Sequence, residues 1–272
     1  MGKLYRLSAF PKTELGGNLA GVYINADNLS SVEMQQISFE VGYSETAFVM
    51  KSKVADFKVR FFTPLIEVDL CGHATIATYN LLRDLGIISL GDYTHETKAG
   101  ILNLIVKETD IFMEQPSPIF ADLIEKNELL KCFNEFEFDK SLMPQIMSTG
   151  MREIFLPIQN RYELDHLIPH IDEIKSLSKK YNVIGIHAFC LDQEVDAYGR
   201  NFAPAVGVNE ESATGTSNGA LGCYLYKYVQ RKEKYTLRQS YQMKQPSEIT
   251  TILELINNRI HRVWVGGTAI IR

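Results

Sequence analysis

The hydrophobic pattern alternates between a period of two and a period near 3.6 along the whole chain. Alternation is clearest at Phe57–Phe62. Phe57, Val59 and Phe61 fall on one face and Lys58 and Arg60 on the other, which predicts a half-buried strand. Residues 4–10, residues 20–24 and Glu45–Met50 also read as strands, the first two separated by the turn signal Gly16-Gly17-Asn18. Asn28 and Ser30 offer N-caps for a helix over Ser31–Val41, and Gly42 ends it. Residues 76–85 predict a helix stopped by Gly86. It is apolar or small on nearly every side, so it is expected to be buried. Residues 101–106 and 111–114 predict a strand pair around a turn.

The second half reads less cleanly. Residues 121–133 are amphipathic and predict a helix. Thr149-Gly150 precedes a strand over 153–158, and 164–181 reads as helical material interrupted at Pro169. Residues 183–191 and 195–202 predict strands, 218–229 a second helix buried on all sides, and 249–255 and 262–271 two terminal strands. The Pro-containing stretch at 115–118 marks a crossing between domains. The division expected is an N-terminal domain over 1–115, completed by the strand 262–272, and a C-terminal domain over 116–261.

Two segments repeat. Arg60-Phe61-Phe62-Thr63-Pro64 matches Arg200-Asn201-Phe202-Ala203-Pro204, 140 residues further on. After each proline a glycine, Gly72 or Gly215, opens a buried helix. Strand, loop, glycine turn and central helix, present twice, imply a pseudo-twofold duplication. A helix start carries unpaired N–H donors and a partial positive charge, and glycine lets a ligand approach the backbone. The two turns therefore suit a carboxylate, and a negative charge developing on it during proton abstraction. On spacing alone, both glycines read equally well as packing residues.

With 272 residues the chain is long enough for two domains. A net charge of −5 without a long basic run excludes a nucleic-acid footprint. No segment reaches the roughly 18 apolar residues of a membrane helix, and residues 1–11 read as a strand and not a signal peptide, so a cytoplasmic location is expected. The four cysteines show no CxxC spacing, which gives neither a metal site nor a disulfide framework support. Cys132, Cys190 and Cys223 read as small buried hydrophobes. Among the histidines, His73 stands apart because it begins a helix, whereas His95, His166, His170, His187 and His261 read as surface or packing residues.

The ordered set Gly17-Asn18-Leu19-Ala20, Ser44-Glu45-Thr46-Ala47-Phe48-Val49, Phe62-Thr63-Pro64 with Gly72-His73-Ala74-Thr75, Phe202-Ala203-Pro204 with residues 210–216, and Val265-Gly266-Gly267 resembles the PhzF-like family of phenazine biosynthesis. The resemblance implies the diaminopimelate-epimerase type of α+β fold: two pseudo-repeated domains, each a mixed, barrel-like sheet around a central α-helix, with the active site between them. It also implies a homodimer. Carried over by position, Glu45 matches the family's acid/base and His73 a catalytic-support position. Asn18, Gly72, Gly215 and Thr216 match substrate-binding positions. Three departures stand out. Glu211 and Ser212 occupy places where the family has Asp and Pro, Thr216 replaces the commoner Ser, and Leu19 replaces Pro.

The expected activity is a cofactor-independent isomerisation that shifts a proton on a small carboxylic acid, with Glu45 as acid/base and without metal or organic cofactor. Two rivals stay open. Cys71-Gly72-His73 also resembles the first-cysteine motif of proline racemases and diaminopimelate epimerase, so an amino-acid racemase or epimerase using Cys71 is one. In that reading the partner thiol falls at Thr214, which is no base at neutral pH. The other is a non-catalytic homologue that binds a small anion or a partner protein, kept open by Glu211 and Ser212. Glu211 reads equally as a substrate partner or as the N-cap of the second helix.

Overall fold

The computed structural model describes residues 2–272; Met1 lies outside the described residues. The chain divides into two compact units, one reaching Glu114 and taking in Gly266–Arg272, the other spanning Gln115–Val265.

In the N-terminal unit, β1 (Lys3–Ala9) and β2 (Asn18–Ile24) form an antiparallel hairpin. Its loop turns through Gly17, at φ +88°, where an added Cβ would stand 2.5 Å from the Ala9 carbonyl oxygen, so only glycine fits. Then α1 (Ser31–Val41) begins at a capping box of Ser30 and Glu33 and ends at Gly42 in the left-handed region. The next strand, β3 (Glu45–Met50), lies parallel to β2 and antiparallel to β4 (Phe57–Phe62). After β5 (Glu67–Val68) the chain enters α2 (Gly72–Asp84), and β6 (Gly91–Thr97) returns parallel to β4. The strands β7 (Gly100–Val106) and β8 (Ile111–Gln115) complete a meander. Every residue of α2 from His73 to Leu82 is buried. Its threonine hydroxyls are satisfied by backbone carbonyls one turn back, Thr75 donating to the Cys71 carbonyl and Thr78 to that of Ala74.

The C-terminal unit repeats this order. Two strands, β9 (Ile119–Leu123) and β10 (Gln145–Ser148), flank the short α3 (Lys126–Leu129), and β10 pairs antiparallel with β11 (Arg152–Pro157). Two helices, α4 (Arg161–Asp165) and α5 (Ile171–Tyr181), cross to β12 (Ile186–Leu191), which is parallel to β11 and antiparallel to β13 (Ala197–Ala203). Then come β14 (Val208–Glu211), the buried α6 (Gly215–Tyr228), β15 (Lys234–Gln239) parallel to β13, β16 (Ser247–Ile256) and β17 (Arg259–Gly267). The last strand, β18 (Ala269–Ile271), pairs with β1. Asn80 of α2 ties it down through both its backbone N–H and C=O at Ala269. So α2 packs on β1, β2, β3, β7 and β18, and α6 on β10, β15 and β16.

The duplication is exact in connectivity from β1 through β6 against β10 through β15. Even its ion pair is copied: Arg60 forks onto both oxygens of Glu67, and Arg200 onto both of Glu210. Aligning Phe62 with Phe202 and following the strand registers makes Thr46 equivalent to Ile186 and Gly21 to Ile154.

The expected helix over 121–133 is absent. Residues 119–123 are a strand paired with β10, and only α3 and a 3-10 turn follow, because the edge of β10 offers backbone partners that outweigh a loose helical spacing. The strands β6, β10 and β15 were not anticipated: β6 is largely polar, β10 is only four residues long, and the alternation of β15 is confined to Tyr235 and Leu237. Both buried helices start earlier than the periodicity indicated, at Gly72 and Gly215.

Candidate functional site

Three elements of the N-terminal unit bring Asn18, Glu45 and His73 together. Asn18 opens β2, Glu45 opens the parallel neighbour β3, and His73 is the second residue of α2. Parallel pairing sets Glu45 opposite Ala20, so the starts of the two strands lie side by side. The His73 ring is almost wholly buried. Asn18 Nδ2 lies 3.3 Å from His73 Nδ1, so the amide donates there and the ring proton sits on Nε2. Around Nε2 stand Ser44 Oγ at 3.3 Å and Glu45 Oε2 at 3.3 Å. Burial lowers the His73 pKa, opposed by the Glu45 charge and a hydrogen bond to the Leu19 backbone. The pair is therefore a neutral imidazole beside a carboxyl group.

Glu45 Oε2 is close to His73 Nε2 yet accepts no hydrogen bond with acceptable geometry, and the atom is buried. Distance and alignment disagree here, and alignment decides: the oxygen keeps a lone pair uncommitted.

Cys71 caps α2 without a side-chain cap bond. Its Sγ lies 3.4 Å from His73 Nδ1 and 3.8 Å from Nε2, within hydrogen-bond reach of the ring. Ligand atoms of Glu45, Cys71 and His73 lie within 4.8 Å of one another, which makes them the set that could hold a soft divalent ion. Gly72 has no left-handed φ, and an added Cβ would meet only Met113 Cε at 3.5 Å, an ordinary contact. Its backbone does not demand glycine.

In the C-terminal unit, Gly215 and Thr216 form the first turn of α6, whose N-cap is Thr214. Glu211 ends β14 three residues earlier, so it is a strand residue and not the helix cap. The segment hangs on Gln239, a fully buried residue that sequence reading missed because β15 was not legible. Its Oε1 accepts from the Thr214 N–H and Asn218 Nδ2, and its Nε2 donates to the Glu211 carbonyl and Thr214 Oγ1. Thr149 Oγ1 adds a 2.9 Å bond to the Thr216 carbonyl. Ser44 was likewise missed; its place immediately before Glu45 was the available signal.

His95 and His187 are fully buried, His95 against the rings of Phe61 and Tyr79 and His187 beside Asn201, and the thiols of Cys132, Cys190 and Cys223 are pushed up by desolvation, to about 11, 12 and 12. His166, His170 and His261 are exposed. No helix among the described residues is long and apolar enough to cross a membrane.

The chain is similar to known proteins along nearly its whole length. The family described as phenazine biosynthesis-like protein (PhzC-PhzF) matches residues 7–272. An uncharacterised isomerase of Clostridium acetobutylicum is 39% identical over 236 residues, 82% of this chain and 78% of its own. The uncharacterised isomerase YddE of Escherichia coli is 31% identical, covering 99% of this chain and 96% of its own. A Bacillus anthracis PhzF-family crystal structure superposes with a TM-score of 0.91 at 32% identity, covering 100% of this chain and 97% of its own. A hydroxyproline epimerase from Agrobacterium vitis, at a TM-score of 0.65 and 12% identity over 100% of this chain and 90% of its own, shares the fold alone. A family match over residues 7–272, a 31%-identical isomerase covered almost end to end and a superposition at a TM-score of 0.91 place the chain in the PhzC-PhzF family as an isomerase.

Proposed function

We propose that the chain isomerises a small carboxylic acid by moving one proton between carbon atoms, with Glu45 as the single acid/base. The observation that carries this reading is the buried, hydrogen-bond-free Oε2 of Glu45 beside His73. A C–H proton passes to that oxygen, and the electron pair of the broken bond delocalises into the substrate carboxylate as an enolate. The carboxyl O–H then returns the proton to a different carbon, with the double bond shifted. The balance closes within the substrate, so no oxidant or reductant takes part. N–H groups in the first turn of α2 are donors suited to an anionic carboxylate and its enolate, and those in the first turn of α6, taken by themselves, suit an anionic carboxylate in the same way. Neutral His73 supports the step by donating from Nε2 without adding charge.

The duplication supports a single base. The position equivalent to Glu45 in the second copy is Gly185, and the position equivalent to Cys71 is Thr214. A Cβ on Gly185 would run into the Phe202 carbonyl oxygen and stand 2.8 Å from Ala203 Cα, so no carboxylate fits there.

A second reading, racemisation through Cys71, is favoured by the sulfur's place at the start of α2 beside His73. Mass spectrometry separates the two readings. Protein in D2O is incubated with cyclic dienoic, hydroxy and amino carboxylic acids, beside Glu45→Gln and Cys71→Ser. Exchange at carbon that is lost in Glu45→Gln and kept in Cys71→Ser is expected. The reverse pattern would replace the Glu45 reading by the Cys71 one, and exchange absent from every acid would remove both.

A further inference from the structure

Behind the first turn of α6 lies a second polar cluster that the mechanism above does not use. Glu153, His187, Asn201 and Ser217 are each at most 2% exposed. Asn201 Nδ2 lies 2.8 Å from Glu153 Oε1, 3.1 Å from Ser217 Oγ and 3.2 Å from His187 Nδ1. Ser217 Oγ hydrogen-bonds the other carboxyl oxygen of Glu153.

The chain carries its own control for what this cluster is worth to the fold. By the registers given above, Glu153, His187 and Asn201 stand where the N-terminal unit has Ala20, Ala47 and Phe61, and Ser217 stands where α2 has Ala74. All four are buried. The same sheet and helix therefore pack with apolar side chains at these positions. Burying a carboxyl, an imidazole and an amide costs several kcal/mol unless every group is paired, and His187 Nε2 and Asn201 Oδ1 have no hydrogen-bond partner. Packing does not account for the cluster.

Its contact with α6 does. Ser217 is the third residue of the helix, directly after Gly215 and Thr216. We infer that Glu153, acting through Ser217, is a positioning residue that fixes the first turn of α6 so that the Gly215 and Thr216 N–H groups face a carboxylate ligand, an inference that rests on the anion-binding role proposed for that turn.

The electrostatics fit this role. The groups facing Glu153 are Ser217 from α6, Asn201 from β13 and, through Asn201, His187 from β12, with Met147 as its register partner on β10. None is a cation: burial holds His187 neutral, with its pKa lowered to about 3. Arg200, next to Asn201, is committed to Glu210 and to the Leu164 and Leu167 carbonyls. Desolvation raises the Glu153 carboxyl above the ordinary carboxylate range. A protonated Glu153 leaves the positive end of α6 uncancelled. An ionised one would place a buried anion beside the turn and compete with the ligand.

The test uses the whole chain, 15N labelling and benzoate as probe. Benzoate is expected to shift the Gly215 and Thr216 amides and to bind more weakly as pH rises. Glu153→Gln, the neutral isostere, should keep the affinity within about twofold and lose that alkaline weakening. Ser217→Ala and Glu153→Leu should each weaken benzoate about tenfold, a change of about 1.4 kcal/mol, and raise KM more than they lower kcat. If Glu153→Leu fails to fold, Ser217→Ala decides alone. Unchanged affinity in Ser217→Ala, or an alkaline weakening that survives in Glu153→Gln, overturns the proposal. Wild-type amides that ignore benzoate overturn it too. Failure of the Glu45 reading would show separately, as missing carbon exchange in protein whose amides still respond.

Discussion

Glu45 and Gly185 occupy the same register position in the two copies of the sheet, one open enough for a carboxylate and the other closed by the backbone of β13. A Cβ at Gly185 cannot be relieved by rotating a side chain, because the atoms in its way are the Phe202 carbonyl and Ala203 Cα. Gly185→Ala is expected to lower the unfolding free energy by about 3 kcal/mol or more, since the strands must part to admit it. Urea unfolding measures this. A loss under about 1 kcal/mol would mean that the backbone there yields easily, and the steric argument for one base per duplicated pair would go with it.

The tautomer of His73 gives a sharper prediction about chemistry. Asn18 donates to Nδ1 and thereby keeps the proton on Nε2, beside Glu45. Asn18→Asp replaces the donor with an acceptor and favours the opposite tautomer. Exchange is expected to fall about a hundredfold, within the range for a displaced acid/base pair, with substrate affinity changed far less. Glu45→Gln should fall further, on the order of a thousandfold. Full activity in Asn18→Asp would show that the side of the ring carrying the proton is immaterial.

Much of this arrangement was legible in the sequence, for physical reasons that differ between residues. Ser31–Val41 and Phe57–Phe62 announced themselves through caps and alternation, which are local. The duplication showed in Arg60-x-Phe and Arg200-x-Phe because an arginine forking onto a glutamate of the neighbouring strand tolerates few substitutes. Glu45 came forward only through resemblance, since an isolated Glu has no local signature, whereas His73 also stood out by its place at a helix start. Gln239, Glu153 and Asn201 stayed hidden because their partners lie 14 to 64 residues away, and a polar residue inside a strand gives no hint of what it meets. The false helix over 121–133 arose the same way, from a pairing with β10 that local periodicity cannot contain.

Gln239 is the hub of the 211–218 segment, so replacing it by an apolar residue of similar size should loosen that segment first. Gln239→Leu strands the Thr214 N–H and removes one of two bonds to the Glu211 carbonyl, the other coming from Ser240 Oγ. A stability loss of about 2–3 kcal/mol is expected from the unpaired donor. Amide hydrogen exchange should quicken at Thr214 through Asn218 before the rest of the unit. Protection unchanged across that segment would show that Gln239 does not hold it.

Acid stability follows from two histidines that the catalytic proposal leaves aside. His95 and His187 are both depressed to about 3 by burial, against 6.5 in the unfolded chain. Between those values the unfolded state binds one more proton at each residue. Their contribution is therefore fully present above pH 6.5 and is lost as pH falls towards 3, by about 1.4 kcal/mol per pH unit for each. His73, also lowered, acts in the same direction. Glu153 has the opposite sign: its raised pKa makes the native state the better proton binder above 4.5, which offsets part of the loss on acidification. From pH 7 to pH 5 the two histidines together should cost about 4 kcal/mol, and His95→Leu should halve that share, leaving a stability curve shallower by about 2 kcal/mol over the interval. His95 packs against the rings of Phe61 and Tyr79, so the variant's absolute stability will shift as well; the comparison is of slopes. Urea midpoints at the two pH values supply both numbers, and equal slopes for wild type and His95→Leu would show that His95 titrates normally in the folded protein.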